Sequence, residues 1–200
     1  MQFDLTGKNA VHEPPELNDD LAFDGDVQMK TNPRLTEKII QRRLFEFYCK
    51  LDHKLVVPNI FLHYSEADLI TVQKSGYVNE IEIKLNKADL KRDFKKRKHK
   101  YFNEAVSLKK QKGRCLTSRY LSHMPNYFWF AFPLSVLPVI DFEIPDYYGL
   151  ITIREDDFQG WPNVYRRAKI MHKQKVSNKQ IAQIARSLMF KMWNNTRGGE

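Results

Sequence analysis

Apolar positions along the chain change period several times, and each change predicts an element. Over residues 34–51, Ile40, Leu44, Phe47, Tyr48 and Leu51 recur at helical spacing. Asn32 and Pro33 would open that helix as N-cap and first helical residue. Residues 55–62 read as a strand that Pro58 confines to an edge or a bulge. Two more strands follow at 67–73 and 78–85, joined by Lys74, Ser75 and Gly76 as a hairpin turn. Residues 87–108 predict one long helix, capped by Asn86, with Leu90, Phe94, Tyr101, Ala105 and Leu108 turned inward and Arg97 on the same stripe. Residues 109–124 are basic and irregular. The aromatic run 127–132, between Pro125 and Pro133, predicts a fully buried strand, and 149–154 a further short one. Ser177 and Gln180 form a capping box before a helix whose face is Ile181, Ile184, Ala185, Leu188 and Met192, ending at Asn194 and Asn195.

The predicted order is α-β-β-β-α-β-β-α, an α/β fold with a mixed sheet flanked by helices and a C-terminal amphipathic helix. The hairpin pair must be antiparallel. The third and fourth strands, joined through a helix, should be parallel with a right-handed crossover.

Composition adds a division of charge. The 200 residues carry a net +9, but residues 1–33 hold seven acids and two lysines and stand at −5. Residues 34–200 therefore stand at +14. The first segment reads as an acidic, disordered arm, with Pro14, Pro15 and few clustered apolar residues. The rest reads as a single domain. A body of that charge suits a polyanion, most simply nucleic acid, with solubility as the plainer explanation. No apolar run is long enough to span a bilayer, and the N-terminus lacks the pattern of a secretory signal. Cys49 and Cys115 are too few for a disulfide scaffold or a cysteine zinc site, so a reducing, cytoplasmic setting is expected. The six histidines show no zinc spacing, and there is no glycine-rich phosphate loop.

Candidate chemistry lies around the hairpin. A three-residue turn with Gly76 in the left-handed position pairs Gln73 with Tyr77 and so sets Asp68 opposite Glu82, whereas a two-residue loop would place Leu69 there. Glu80, Glu82 and Lys84 share one strand face, Ile81, Ile83 and Leu85 the other. Taken alone, that alternation is an ordinary half-exposed strand. Two facing carboxylates, however, repel unless a cation lies between them. Lys84 can neutralise the pair, or Mg²⁺ or Mn²⁺ can be held by such oxygen ligands. Glu37 lies on the inward side of the first helix; it serves either the helix dipole or the metal.

The arrangement of Asp68 with Glu82-x-Lys84 resembles the PD-(D/E)XK nuclease superfamily. The longer string from Glu82 through Asp93 is similar to the MmcB-type DNA-repair family within it, where Glu-Ile-Lys precedes an Ala-Asp-Leu helix start and a second Asp. Ala67-Asp68, the aromatic strand ending in Pro133 and the strand beginning Gly149-Leu150-Ile151 also resemble that family, over roughly residues 55–155. Asn86 stands where the family has Ser, and residues 106–124 read as an insertion. The resemblance implies a restriction-endonuclease-like αβββαβ core. It implies Asp68, Glu82 and the Ile83 carbonyl as metal ligands and Lys84 as the group serving water or transition state. It also implies metal-dependent DNA cleavage in repair or recombination. The alternative is a non-cleaving DNA-binding accessory protein of the same fold.

Lys87, Lys91, Arg92, Lys95, Lys96, Arg97, Lys98 and Lys100 crowd the second helix. They form either a solvated face or a phosphate-tracking surface beside the metal strand. DNA is the expected partner, with RNA as the alternative. Asp89 and Asp93, one turn apart, are expected to pair with lysines or cap the helix.

Overall fold

The computed structural model describes residues 35–61, 65–112, 124–140, 142–156 and 160–197. The acidic arm, Cys115 and the Asn32–Pro33 helix entry lie outside the described residues. The first helix, α1 (Glu37–Lys50), starts instead behind Thr36, whose hydroxyl accepts from the Ile39 N–H at 3.3 Å.

Strands β1 (Leu55–Phe61), β2 (Glu66–Val72) and β3 (Val78–Ile83) follow. Then come helices α2 (Lys87–Asp93) and α3 (Arg97–Lys112), β4 (Tyr127–Pro133), a 3-10 helix (Leu134–Val139), β5 (Gly149–Ile153), β6 (Asn163–Arg166) and α4 (Asn178–Arg197). They build an α/β domain on a six-stranded mixed sheet in the order β1-β2-β3-β4-β5-β6. The β3–β4 and β4–β5 pairs are parallel and the others antiparallel. Pro58 lies in the edge strand β1, where a missing N–H is tolerated. Strand β6 has no counterpart in the sequence reading: its four residues are mostly exposed and show no burial pattern.

Two differences matter for the site. The expected long helix 87–108 is two helices, broken between Asp93 and Arg97. After the break the buried positions of α3 become Lys98, His99, Phe102, Ala105 and Val106, while Tyr101 is only half-buried. Arg97, expected on the inward stripe, is exposed.

Side chains from the two sheet faces enter different layers. On one face, Leu69, Ile81, Ile83, Ala131, Ile151 and Ile153 pack under Ile40, Leu44 and Tyr48 of α1. On the other, Phe128, Phe130, Phe132 and Leu150 pack with Leu90, Phe102 and Ala105, and Ile70, Val72 and Val78 pack with Ile184 of α4. Gly149 lies beneath the Trp129 ring, where a Cβ would meet a ring carbon at 2.0 Å. Segment 171–176 crosses the end of the β2–β3 hairpin and leads into α4. Buried Asn126 ties it down, accepting from the Val78 N–H at 2.7 Å and donating to the His172 and Gln174 carbonyls at 2.8 Å. The capping box holds: the Ser177 N–H donates to Gln180 Oε1 at 2.9 Å. Among the described residues no helix is long and apolar enough to cross a membrane.

Candidate functional site

The hairpin turn sets the register. The Gln73 N–H donates to the Tyr77 carbonyl and the Gly76 N–H to the Gln73 carbonyl, both at 2.9 Å, with Gly76 at φ +87°. The ladder then pairs Val72 with Val78 through to Leu69 with Ile81, the last pair before Asp68 and Glu82. At that point a side chain replaces the backbone bond. Asp68 Oδ2 accepts from the Ile83 N–H at 2.6 Å. In a strand a residue's N–H and C=O face the same neighbour, so the Ile83 carbonyl is turned towards the same side. From α1, Gln41 Nε2 donates to the Asp68 carbonyl at 2.6 Å and to Asn59 Oδ1 at 2.8 Å.

Asp68, Glu82, Ile83 and Lys84 line one cleft of about 1010 Å³. Asp89 and Lys96 form one wall, Leu188, Lys191, Met192 and Asn194 of α4 the other, and Pro58, Asn59, Glu37 and Glu66 complete the lining. Glu37 is exposed at this rim. Its charge reaches Asp68, but among the described residues no three His, Cys, Asp or Glu side chains gather as a metal-binding group. The oxygens that meet here are those of Asp68 and Glu82 and the Ile83 carbonyl, with both Glu82 oxygens also accepting from lysines. That all-oxygen set fits Mg²⁺ or Mn²⁺, which commonly bind through one or two carboxylates and keep several waters.

Behind the cleft is a buried network of charges. Glu80, Glu82, Lys84, Asp93, Lys98 and His99 are each at most 5 % exposed. Lys84 Nζ donates to Glu82 Oε2 at 2.8 Å and pairs with Asp93 Oδ1 at 3.2 Å. Lys98 Nζ donates to Glu80 Oε1 at 3.1 Å and also to Glu82 Oε1. Lys96 pairs with Asp93 and lies 3.7 Å from Glu82. His99 Nε2 bonds Asp93 Oδ2 at 2.7 Å, and its Nδ1 bonds the Tyr148 hydroxyl at 2.8 Å. Asp93 therefore holds Lys84 from behind, His99 holds Asp93, and Tyr148 holds His99.

These contacts decide the protonation states. Burial pushes the Glu82 carboxyl up, but Lys98 and Lys84 outweigh it and leave it below its ordinary value. Burial likewise opposes Asp93, which its bond from His99, then Lys84 and Lys96, hold well below the carboxylate range. Lys84 is held above its ordinary value because Glu82 and Asp93 overcome the cost of burial. Burial lowers His99, with Asp93 opposing, so the neutral ring donates from Nε2 to Asp93 and accepts from Tyr148. Asp68 is the exception on the cleft side: burial, then the charge of Glu82, push it up to about 6 despite the Ile83 N–H and Lys84. Burial also raises Glu80, to about 7, despite Lys98, which it shares with Glu82. Four carboxylates thus face three ammonium groups, and the surplus negative charge falls partly on Asp68.

The basic positions divide accordingly. Lys91, Arg92, Lys95, Arg97 and Lys100 are exposed, and Lys87 is half-buried. Arg92 pairs with Asp89 at 3.1 Å. Lys96 stands at the cleft with 47 % of its side chain exposed. Lys98 is a correction: expected on the phosphate-tracking surface, it is 2 % exposed and committed to Glu80 and Glu82. The helix break turns it inward.

Sequence reasoning also missed Gln41, Glu80, His99, Tyr148 and the α4 wall as parts of the site. One signal was present. A strand beside the aromatic run of β4 is central in the sheet, and a central strand covered on both faces buries its charged positions too.

No family model matches the chain, and no curated protein matches it. Its fold is similar to the solved structure of SPO1766, a protein of unknown function from Silicibacter pomeroyi, at a TM-score of 0.51 and 13 % sequence identity, over 82 % of this chain and 90 % of that one.

Proposed function

We propose that the protein is a metal-dependent nuclease with a restriction-endonuclease-like core, hydrolysing phosphodiester bonds in DNA. The observation that carries this reading is the convergence of Asp68, Glu82 and Lys84 in one cleft, with Asp68 raised in pKa by burial and then by the charge of Glu82. Asp68, Glu82 and the Ile83 carbonyl would hold Mg²⁺ or Mn²⁺. Such an ion supplies a polarised phosphoryl oxygen and a water of lowered pKa. Lys84, kept charged and held between Glu82 and Asp93, would stabilise negative charge developing at phosphorus. Lys96 and the exposed bases of α2 and α3 would hold flanking phosphates.

The test is nicking of plasmid and single-stranded DNA with Mg²⁺ or Mn²⁺ against EDTA. Asp68→Ala, Glu82→Ala and Lys84→Ala should each lower cleavage by about a hundred- to a thousandfold, in the range of lost transition-state donors. DNA binding in EDTA should persist, or tighten when an acid is removed. Mn²⁺ titrated calorimetrically should bind wild type and not Asp68→Ala. The second reading, a non-cleaving DNA-binding protein, is favoured by one contact set: both Glu82 oxygens are engaged by lysines. It takes over if wild type binds DNA but cleaves no substrate with either metal.

A further inference from the structure

Two non-glycine residues take a left-handed backbone, and their settings differ. Asp52, at φ +58°, directly follows the C-cap of α1, where chains commonly leave a helix in that conformation. Asn59, at φ +49°, lies inside strand β1. Regular strand pairing has no use for that conformation, and such outliers cluster at functional sites. The ladder to β2 pairs Pro58 with Leu69 and Ile60 with Ala67, so Asn59 falls between them, across from Asp68. Asn59 is exposed and lines the same cleft as Asp68, Glu82 and Lys84.

Hydrogen bonding fixes the sense of its amide. Gln41 bonds the Asp68 carbonyl at 2.6 Å, and a carbonyl only accepts, so the Gln41 atom there is Nε2. The same nitrogen lies 2.8 Å from the Asn59 amide and can only donate, so the Asn59 atom facing it is Oδ1. Nδ2, with two hydrogens, is the end of the amide left over, and no acceptor among the described residues takes it. A free donor on a cleft wall suits an acceptor. Reading adenine requires an Asn to present its oxygen and nitrogen together, and here the oxygen is held by α1. A phosphodiester oxygen requires only the donor, and its negative charge makes such a bond strong.

We infer that Asn59 is a substrate-binding residue: Gln41 holds its amide so that Nδ2 donates to a phosphate oxygen of the strand lying against Asp68. This rests on the reading of the cleft as a phosphodiester site. It adds to that site a neutral donor that grips the backbone of the substrate and not its sequence.

The experiment compares two replacements that both accept the left-handed backbone. Asn59→Gly adopts it freely and removes the amide. Asn59→Asp keeps the shape and the acceptor for Gln41, but puts a carboxylate oxygen where Nδ2 was. Each is measured as kcat/KM for DNA cleavage with Mn²⁺ and as Kd for the same DNA in EDTA, with circular dichroism and urea unfolding to check the fold. Asn59→Gly should unfold close to wild type yet lose about tenfold or more in kcat/KM, the worth of a hydrogen bond to a charged group. Asn59→Asp should lose more, because it sets like charge against phosphate. Kd should rise in the same order, and the losses should be alike on DNAs of different sequence. Asp52→Gly, the same change at the other left-handed position, should stay within about twofold of wild type. The inference falls if folded Asn59→Gly cleaves as wild type does, because a residue needed only for its backbone is replaced by glycine without loss. It also falls if Asn59→Asp cleaves as wild type does, or if the losses follow DNA sequence. Where wild type binds without cleaving, the same comparison is decided on Kd. Wild-type cleavage alongside a normal Asn59→Gly variant leaves the cleft reading standing; absence of both binding and cleavage removes both.

Discussion

The two faces of β3 are equally buried and chemically opposite. Every residue of the strand is buried. Ile81 and Ile83 enter an apolar layer under α1, while Glu80 and Glu82 enter a network of lysines, carboxylates and one histidine under α3. The first face is held by removal of apolar surface from water, at about 25 cal/mol per Å². The second is held by pairing, which in a protein interior often does no better than well-packed apolar groups of the same volume. The α1 face is therefore what stability requires. The α3 face is a charged network carried at some cost to stability, and it directly backs the cleft.

The largest effect should come from unpairing the charged face. Lys98→Met leaves Glu80 and Glu82 short of a cation and should cost about 3–5 kcal/mol in urea unfolding. Glu80→Gln removes the carboxyl that burial already raises, and should cost less than about 1 kcal/mol. If the two variants are equally mild, the network is not paired as described. Ile81→Ala on the apolar face should cost about 2–4 kcal/mol through the cavity it opens, while Mn²⁺ affinity stays that of wild type.

A smaller effect separates the faces by pH. His99 is lowered from 6.5 by burial. The unfolded chain gains that proton more readily, so stability is lost as pH falls below 6.5. Half-buried His53 and buried His172, both lowered by burial, act in the same sense. Asp68 acts oppositely: its folded value of about 6 exceeds the ordinary 3.8, so its contribution is present at low pH and is lost as pH rises from about 4 to about 6. His99→Gln, which can still donate to Asp93, should lose less stability than wild type between pH 7.5 and 5. Asp68→Asn should gain at neutral pH without metal. Denaturation midpoints against pH measure both.

The smallest effect on stability belongs to the exposed bases. Lys91, Lys95 and Lys100 to Gln should change unfolding by less than about 0.5 kcal/mol. If they touch phosphate, the log–log salt slope of duplex binding should become shallower by about 0.9 per lost contact. An unchanged slope would mean that duplex DNA binds elsewhere.

The hairpin register was legible in the sequence because three turn residues with Gly76 in the left-handed position allow little else, and Asp68 and Glu82 follow from it. The caps at Asn86 and Ser177 were legible because capping is local. The buried network was not. Alternation reads Glu80, Glu82 and Lys84 as a solvent face, and only the neighbouring strand and α3 reveal otherwise. The break between Asp93 and Arg97 carries neither Pro nor Gly. It is set by tertiary contacts of Asp93, Lys96 and Lys98, so Lys98 looked like one more surface base. Strand β6 is recruited by its place beside β5 rather than by its own pattern.

Hairpin tips are ordinarily where a chain best accepts extra residues. Here the tip is tethered: the Val176 N–H donates to the Gly76 carbonyl at 2.9 Å, and a Cβ at Gly76 would come within 3.3 Å of Lys175. Slipping β3 by one residue would put Leu69 across from Glu82 and turn alternate side chains to the wrong layer. For anyone placing a tag, a fluorophore loop or a permuted terminus, the connection that looks most permissive on this molecule is the one to leave intact.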